Sequence, residues 1–137
     1  VASVSALLAA IEIYEQGEST LQYAINAVDW ALYLQPDDPQ ALQYHAWLNV
    51  QAEEWEAARE SYDRLFELGQ PQLEDLLPAA MCEYKAGNTP RAIEHWRQVL
   101  VLDPDNEPAR NNLLSLGEPI AEPSRFLDKI QRAAAVL

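Results

Sequence analysis

The feature that most limits what this chain can become is a repeat of 34 residues. Ala24, Ala58 and Ala92 stand 34 apart, and Val28, Tyr62 and Trp96 follow each of them by four. The register continues through Ala31, Leu65 and Val99, then Leu32, Phe66 and Leu100, then Leu34, Leu68 and Leu102, and closes on Pro36, Gln70 and Pro104. Six columns in one register mark a chain built by repetition, and a period of this size belongs to stacked supersecondary units. Within each segment the apolar residues fall 4, 7 and 8 positions after the alanine, which is one face of an α-helix. The alanine lets a neighbouring helix approach, and the large residue four positions on fills the space beside it. A second apolar helix precedes each of these: Ala46 and Ala80 are again 34 apart, with Trp47 and Met81 beside them.

Local signals divide the chain into seven helices and a tail. The first two are expected at about 3–16 and 20–35. The third starts at Pro39 behind an Asp38 N-cap, since proline at the first helical position loses no needed hydrogen bond. The fourth spans about 54–68. The fifth is expected from Leu76 behind Asp75, which puts Pro78 in a first turn, and the sixth from Pro90 behind Thr89. The seventh, about 107–116, stops at Gly117, and its Arg110, Asn111 and Asn112 can give a terminal unit its polar outer face. The segment GEPIAEP reads as a linker and SRFLDKIQRAAAVL as an amphipathic helix with Phe126, Ile130, Ala133 and Leu137 on one stripe. That helix either caps the stack or folds onto the acidic surface and competes with a partner.

These residues resemble the tetratricopeptide repeat (TPR), in which two antiparallel helices make each unit. Ala46, Trp55, Ala58, Tyr62 and Leu68 match its signature in the second unit, and Leu76, Ala80, Gly87, Ala92, Trp96 and Pro104 in the third. LQPDDP and LDPDNEP look like its inter-unit turns. The resemblance implies an all-α, right-handed α-α superhelix. Its units are expected at about 3–36, 39–70 and 73–104, with a capping helix at 107–116, all within residues 1–118, and a linker and helix at 119–137. Three departures stand out. The first unit has an extended turn, EQGEST, and in the second Glu53 stands where the turn glycine is usual and His45 where leucine is.

Charge limits the partners. Residues 1–58 hold nine acids and no Lys or Arg; residues 59–137 hold nine basic and thirteen acidic residues, so the whole chain carries −13. A nucleic-acid backbone or an anionic membrane surface would be repelled, and a basic partner would be steered to the N-terminal half. The plain alternative is that the charge serves solubility. No apolar run is long enough to cross a bilayer. The chain lacks an initiator Met, so a processed form or fragment is allowed for. Its one cysteine, Cys82, fits a reducing compartment, and a cytoplasmic location is expected.

No chemistry is expected. His45 and His95 have no companions at ligand spacing; His45 falls at a packing position, and His95, next to Trp96, is expected at the surface. Cys82 lies beside Ala80 and Met81 with no evident base and reads as a packing residue. Glu53 and Glu54 sit in a solvated turn, where a carboxylate keeps its ordinary acidity. There is no glycine-rich phosphate cradle. Neither catalysis nor a metal ligand nor a cofactor is expected.

The resemblance also implies where a partner would bind, because the first helix of each TPR unit lines a concave groove. Position by position, the first unit offers Leu7, Ile11, Tyr14 and Glu15. The second offers Gln43, Tyr44, Trp47, Val50 and Gln51, and the third Glu74, Leu77, Pro78, Met81, Tyr84 and Lys85. One family subset holds acidic chaperone C-termini with a clamp of Lys, Asn and Arg; the corresponding positions here are Leu7, Ile11, Tyr44, Glu74 and Pro78, so that ligand should bind poorly. The expected partner is another protein, presenting a peptide or amphipathic helix that is apolar with basic flanks. The alternatives are a small dedicated chaperone, similar to type III secretion chaperones of the TPR class, and a module that self-associates through groove or tail.

Overall fold

The computed structural model describes residues 4–17, 20–120 and 134. The described residues form α1 (Val4–Glu15), α2 (Leu21–Leu34), α3 (Pro39–Gln51), α4 (Trp55–Leu68), α5 (Leu73–Lys85), α6 (Thr89–Leu102) and α7 (Glu107–Ser115), with no strand among them. Apart from Ala134, the amphipathic helix expected in the tail lies outside the described residues.

Each helix packs mainly on its neighbours in chain order, with α3 also meeting α5. The result is a solenoid of helical hairpins. The interior is correspondingly divided into three successive cores, and each holds one copy of the repeat. Ala24, Val28 and Ala31 lie with Ile11, Ala41 and Leu48 in the first; Ala58 and Tyr62 with Ala46, Ala79 and Cys82 in the second; Ala92, Trp96 and Val99 with Leu76, Ala80, Ala109 and Leu113 in the third. All three repeat alanines are fully buried, as close helix approach requires.

The helix starts follow from their caps. Asp38 Oδ1 accepts from the Ala41 amide at 2.8 Å, Thr20 Oγ1 from Tyr23 at 3.2 Å, and Asn106 Oδ1 from Ala109 at 3.1 Å. Two starts differ from expectation. α5 begins at Leu73 behind Gln72, not at Leu76, because Leu73 packs against the third core and draws the helix back by a turn. Pro78 is therefore inside the helix, where it leaves the Glu74 carbonyl without its intrahelical donor. α6 begins at Thr89, with Asn88 in the cap position and no side-chain cap bond.

The turns that follow α3, α5 and α7 share one geometry. Glu54, Asn88 and Glu118 amides donate to the carbonyls of Asn49, Glu83 and Leu113, closing a Schellman motif at the ends of α3, α5 and α7. That motif needs a left-handed residue, supplied by Gly87 (φ 87°) and Gly117 (φ 73°). Glu53 takes the same role at φ 57°, a region that costs a residue with a Cβ about 1 kcal/mol.

Candidate functional site

The first helices of the hairpins, α1, α3 and α5, present the expected strip of side chains. Tyr14 and Trp47 meet edge to face with ring centroids 6.2 Å apart, and the Tyr14 hydroxyl donates to Gln51 Oε1 at 3.4 Å, tying α1 to α3. Leu7, Tyr44 and Trp47 are half-buried against the first core, Val50 against the second and Leu77 against the third. Gln51 and Lys85 are exposed, as are Met81 (43%) and Tyr84 (47%). Ile11 departs from expectation. It is fully buried with Ala24 and Val28, so it holds the first core together and offers no surface to a ligand.

Two hollows lie along this face and share Pro78. The larger, about 450 Å³, is apolar: Leu77, Pro78, Met81, Tyr84 and Lys85 of α5 face Trp96 of α6 and Pro108, Asn112, Ser115 and Leu116 around α7. Tyr84 leans on Trp96 with centroids 6.1 Å apart. The four residues at α7 were not among those expected. The repeat held the signal, since Pro108, Asn112 and Ser115 are 34 positions after Glu74, Pro78 and Met81; α7 is a first helix as well as a cap.

The smaller hollow, about 300 Å³, is lined by Glu15, Gln40, Gln43, Tyr44, Trp47, Tyr62, Glu74, Asp75 and Pro78. Gln43 Nε2 donates to Asp75 Oδ1 at 2.9 Å and reaches Glu74 Oε1 at 3.4 Å. Burial pushes the Asp75 carboxyl above its ordinary value; Gln43 opposes this and the Glu74 charge adds to it. Tyr62 beneath is also held above the usual phenol value, by burial first and then by the charges of Cys82 and Asp75.

The titratable groups away from this face are packing groups. His45 is two-sided, with Nδ1 2.6 Å from Ser61 Oγ and Nε2 3.2 Å from Asp29 Oδ1; burial lowers its pKa, and Asp29 and Glu60 partly offset that. The Cys82 thiol is fully buried and pushed up to about 11 by burial and the Glu83 charge, far from a nucleophile's range. His95 is not at the surface as expected: it is 7% exposed, with Phe66 edge-on at 5.6 Å. Its column in the repeat, Ala27 and Ser61, is buried throughout and carried that information.

His95 belongs to a cluster with metal-ligand spacing, in which one ligand atom each of Asp63, Glu83 and His95 lie within 4.8 Å of one another. Glu83 Oε1 and His95 Nε2 have no hydrogen-bond partner in the protein. The charges, however, are already balanced. Arg59 Nε donates to Glu83 Oε2 at 3.0 Å, Arg91 Nη1 is 3.4 Å from Oε1, and Arg91 grips both oxygens of Asp63 at 2.8 and 3.0 Å. A dication would stand against two guanidiniums, so the cluster reads as an ion-pair network.

Neither a protein-family model nor a curated protein matches the sequence. Solved structures do match in fold. The chain superposes over 84% of its length on 90% of the first TPR domain of Spaghetti (RPAP3), solved with the HSP90 peptide SRMEEVD, at 16% identity and a TM-score of 0.70. The second TPR domain of human RPAP3, solved with the HSP70 peptide SGPTIEEVD, aligns over 80% of this chain and 90% of its own, at 14% identity and a TM-score of 0.65. MamA aligns over 77% of this chain and 61% of its own, at 19% identity and a TM-score of 0.68. No helix among the described residues is long and apolar enough to cross a membrane. A 34-residue register, hairpins packed in chain order and these neighbours together show that the chain has the tetratricopeptide-repeat fold.

Proposed function

We propose that this chain is a protein-interaction module that receives a peptide or an amphipathic helix along the face formed by α1, α3 and α5. The observation that carries the reading is the strip of aromatic and apolar side chains, Tyr44, Trp47, Leu77, Met81 and Tyr84, flanking two hollows that adjoin at Pro78. Such side chains bury a large area with few torsions to freeze, as the anchor points of interfaces do. The acids of this face, Glu15, Glu74 and Asp75, outnumber its one cation, Lys85, and favour an apolar partner with basic residues. The RPAP3 domains are solved with peptides that end in acids, and the same charge balance opposes ligands of that kind here.

The test is Trp47→Ala together with Tyr84→Ala. Partner or peptide capture should fall at least tenfold while the helical circular dichroism is kept. Capture unchanged in a folded double variant would remove the groove reading.

A further inference from the structure

Asp75 stands where the fold itself uses alanine. Ala41, 34 positions earlier, and Ala109, 34 positions later, are both fully buried in the same first-helix column, and Asp75 is only 5% exposed. A carboxylate in that place costs desolvation, and buried charges are ordinarily paired. Here the partner is neutral: the Gln43 amide serves both Asp75 and Glu74. Among the described residues no Lys, Arg or His comes within 4.0 Å of the carboxylates of Glu15, Glu74 or Asp75. The amide dipoles at the start of α5 favour acids at positions 74 and 75. They do not account for Glu15, which reaches the same hollow from α1, or for the aromatic walls made by Tyr44 and Trp47.

We propose that this hollow seats one Lys or Arg side chain of the bound partner, with its cationic head among Glu15, Glu74 and Asp75 and its aliphatic stem on Tyr44 and Trp47. The proposal rests on the groove reading above and specifies which chemistry enters which hollow. Aromatic faces and carboxylates attract the same head group, while the stem is covered by apolar surface. Apolar residues next to the cation in the partner's sequence would fill the adjoining hollow between Leu77 and Leu116.

A randomised twelve-residue peptide library displayed on phage, selected against the full chain, tests this. Selected peptides are expected to carry a Lys or Arg beside bulky apolar residues. Replacing it by norleucine or citrulline in the synthetic peptide should weaken binding tenfold or more. Glu15→Gln with Glu74→Gln, both at exposed positions, should give a similar loss, and peptide and protein changes combined should lose little more than either alone. Peptides that need Trp47 and Tyr84 but bind equally well without the cation, or to the Glu15→Gln/Glu74→Gln chain, would overturn the cation seat and leave the groove reading standing. Peptides indifferent to Trp47→Ala and Tyr84→Ala, or no selected peptide at all, would overturn both.

Discussion

Among the described residues two carboxylates are buried, and they are treated in opposite ways. Glu83, near the end of α5, is 1% exposed and is met by the guanidiniums of Arg59 and Arg91. Asp75, at the start of the same helix, is nearly as buried and meets one amide. Each interrupts a column of the repeat, Asn49–Glu83–Gly117 in one case and Ala41–Asp75–Ala109 in the other. Glu83 lies in a network closed within the chain. Asp75 lies at the floor of a hollow that opens on the proposed binding face, and its charge is left over. Where a fold pairs one buried carboxylate with guanidiniums and gives another only a neutral amide, the second is where a cationic partner has something to gain.

The comparison can be broken by removing either charge. The largest effect is expected for Glu83→Ala, which vacates an interior site and leaves Arg59 with only Glu56 and Arg91 with only Asp63. Urea unfolding should show a loss of about 3 kcal/mol. A loss under about 1 kcal/mol would mean that both guanidiniums reach water unaided and that the network is ornamental to stability.

Asp75→Asn should do the reverse, keeping the chain folded and raising its stability by up to about 1 kcal/mol at neutral pH, since water in the hollow screens part of the charge. The pH dependence follows from the direction of the shift. The folded chain holds the Asp75 proton more tightly than the unfolded chain, so between the unfolded value near 3.8 and the raised folded value its stability falls as pH rises. The gain from Asp75→Asn is therefore full above the folded value and disappears as pH falls toward 3.8. A gain that is independent of pH would remove the charge as its cause.

The smallest expected effect is a control away from both sites. Glu53→Gly should stabilise the chain by about 0.5 kcal/mol, the relief of a left-handed backbone less the added freedom of the unfolded glycine. A thermal melt that moves downward would show that the Glu53 side chain contributes more than its strained backbone costs.

The fold was legible because the alanine columns report a geometric demand, the close approach of two helices, that few other residues meet. The helix caps were legible where a single side chain does the work, as at Asp38. They misled where two candidates competed: Asp75 looks like a cap, but it lies inside α5 because Leu73 has a core to join. Polar residues in apolar columns were the hardest to place. His95 and Asp75 were judged by their own chemistry, while burial belongs to the column, and reading Ala27–Ser61–His95 down the repeat puts the histidine inside. The groove residues come from analogy between units, and analogy does not show that the Ile11 side chain turns into the first core with Ala24 and Val28. The part that α7 takes in the larger hollow was missed although α7 repeats the start of a unit, because its Arg110, Asn111 and Asn112 read as a polar outer face.

The division of the interior into three successive cores bears on how a disturbance spreads. Each core is closed by its own alanine, and each shares only a helix or two with the next. In such a linear array the end helices can exchange their amide hydrogens while the middle stays protected, so opening proceeds from the ends and the chain is not bound to melt all at once. The hollow at Asp75 sits over the seam between the first and second cores, drawing residues from α1, α3, α4 and α5. A partner seated there would brace a joint, and its grip would register as a gain in cooperativity as well as in affinity.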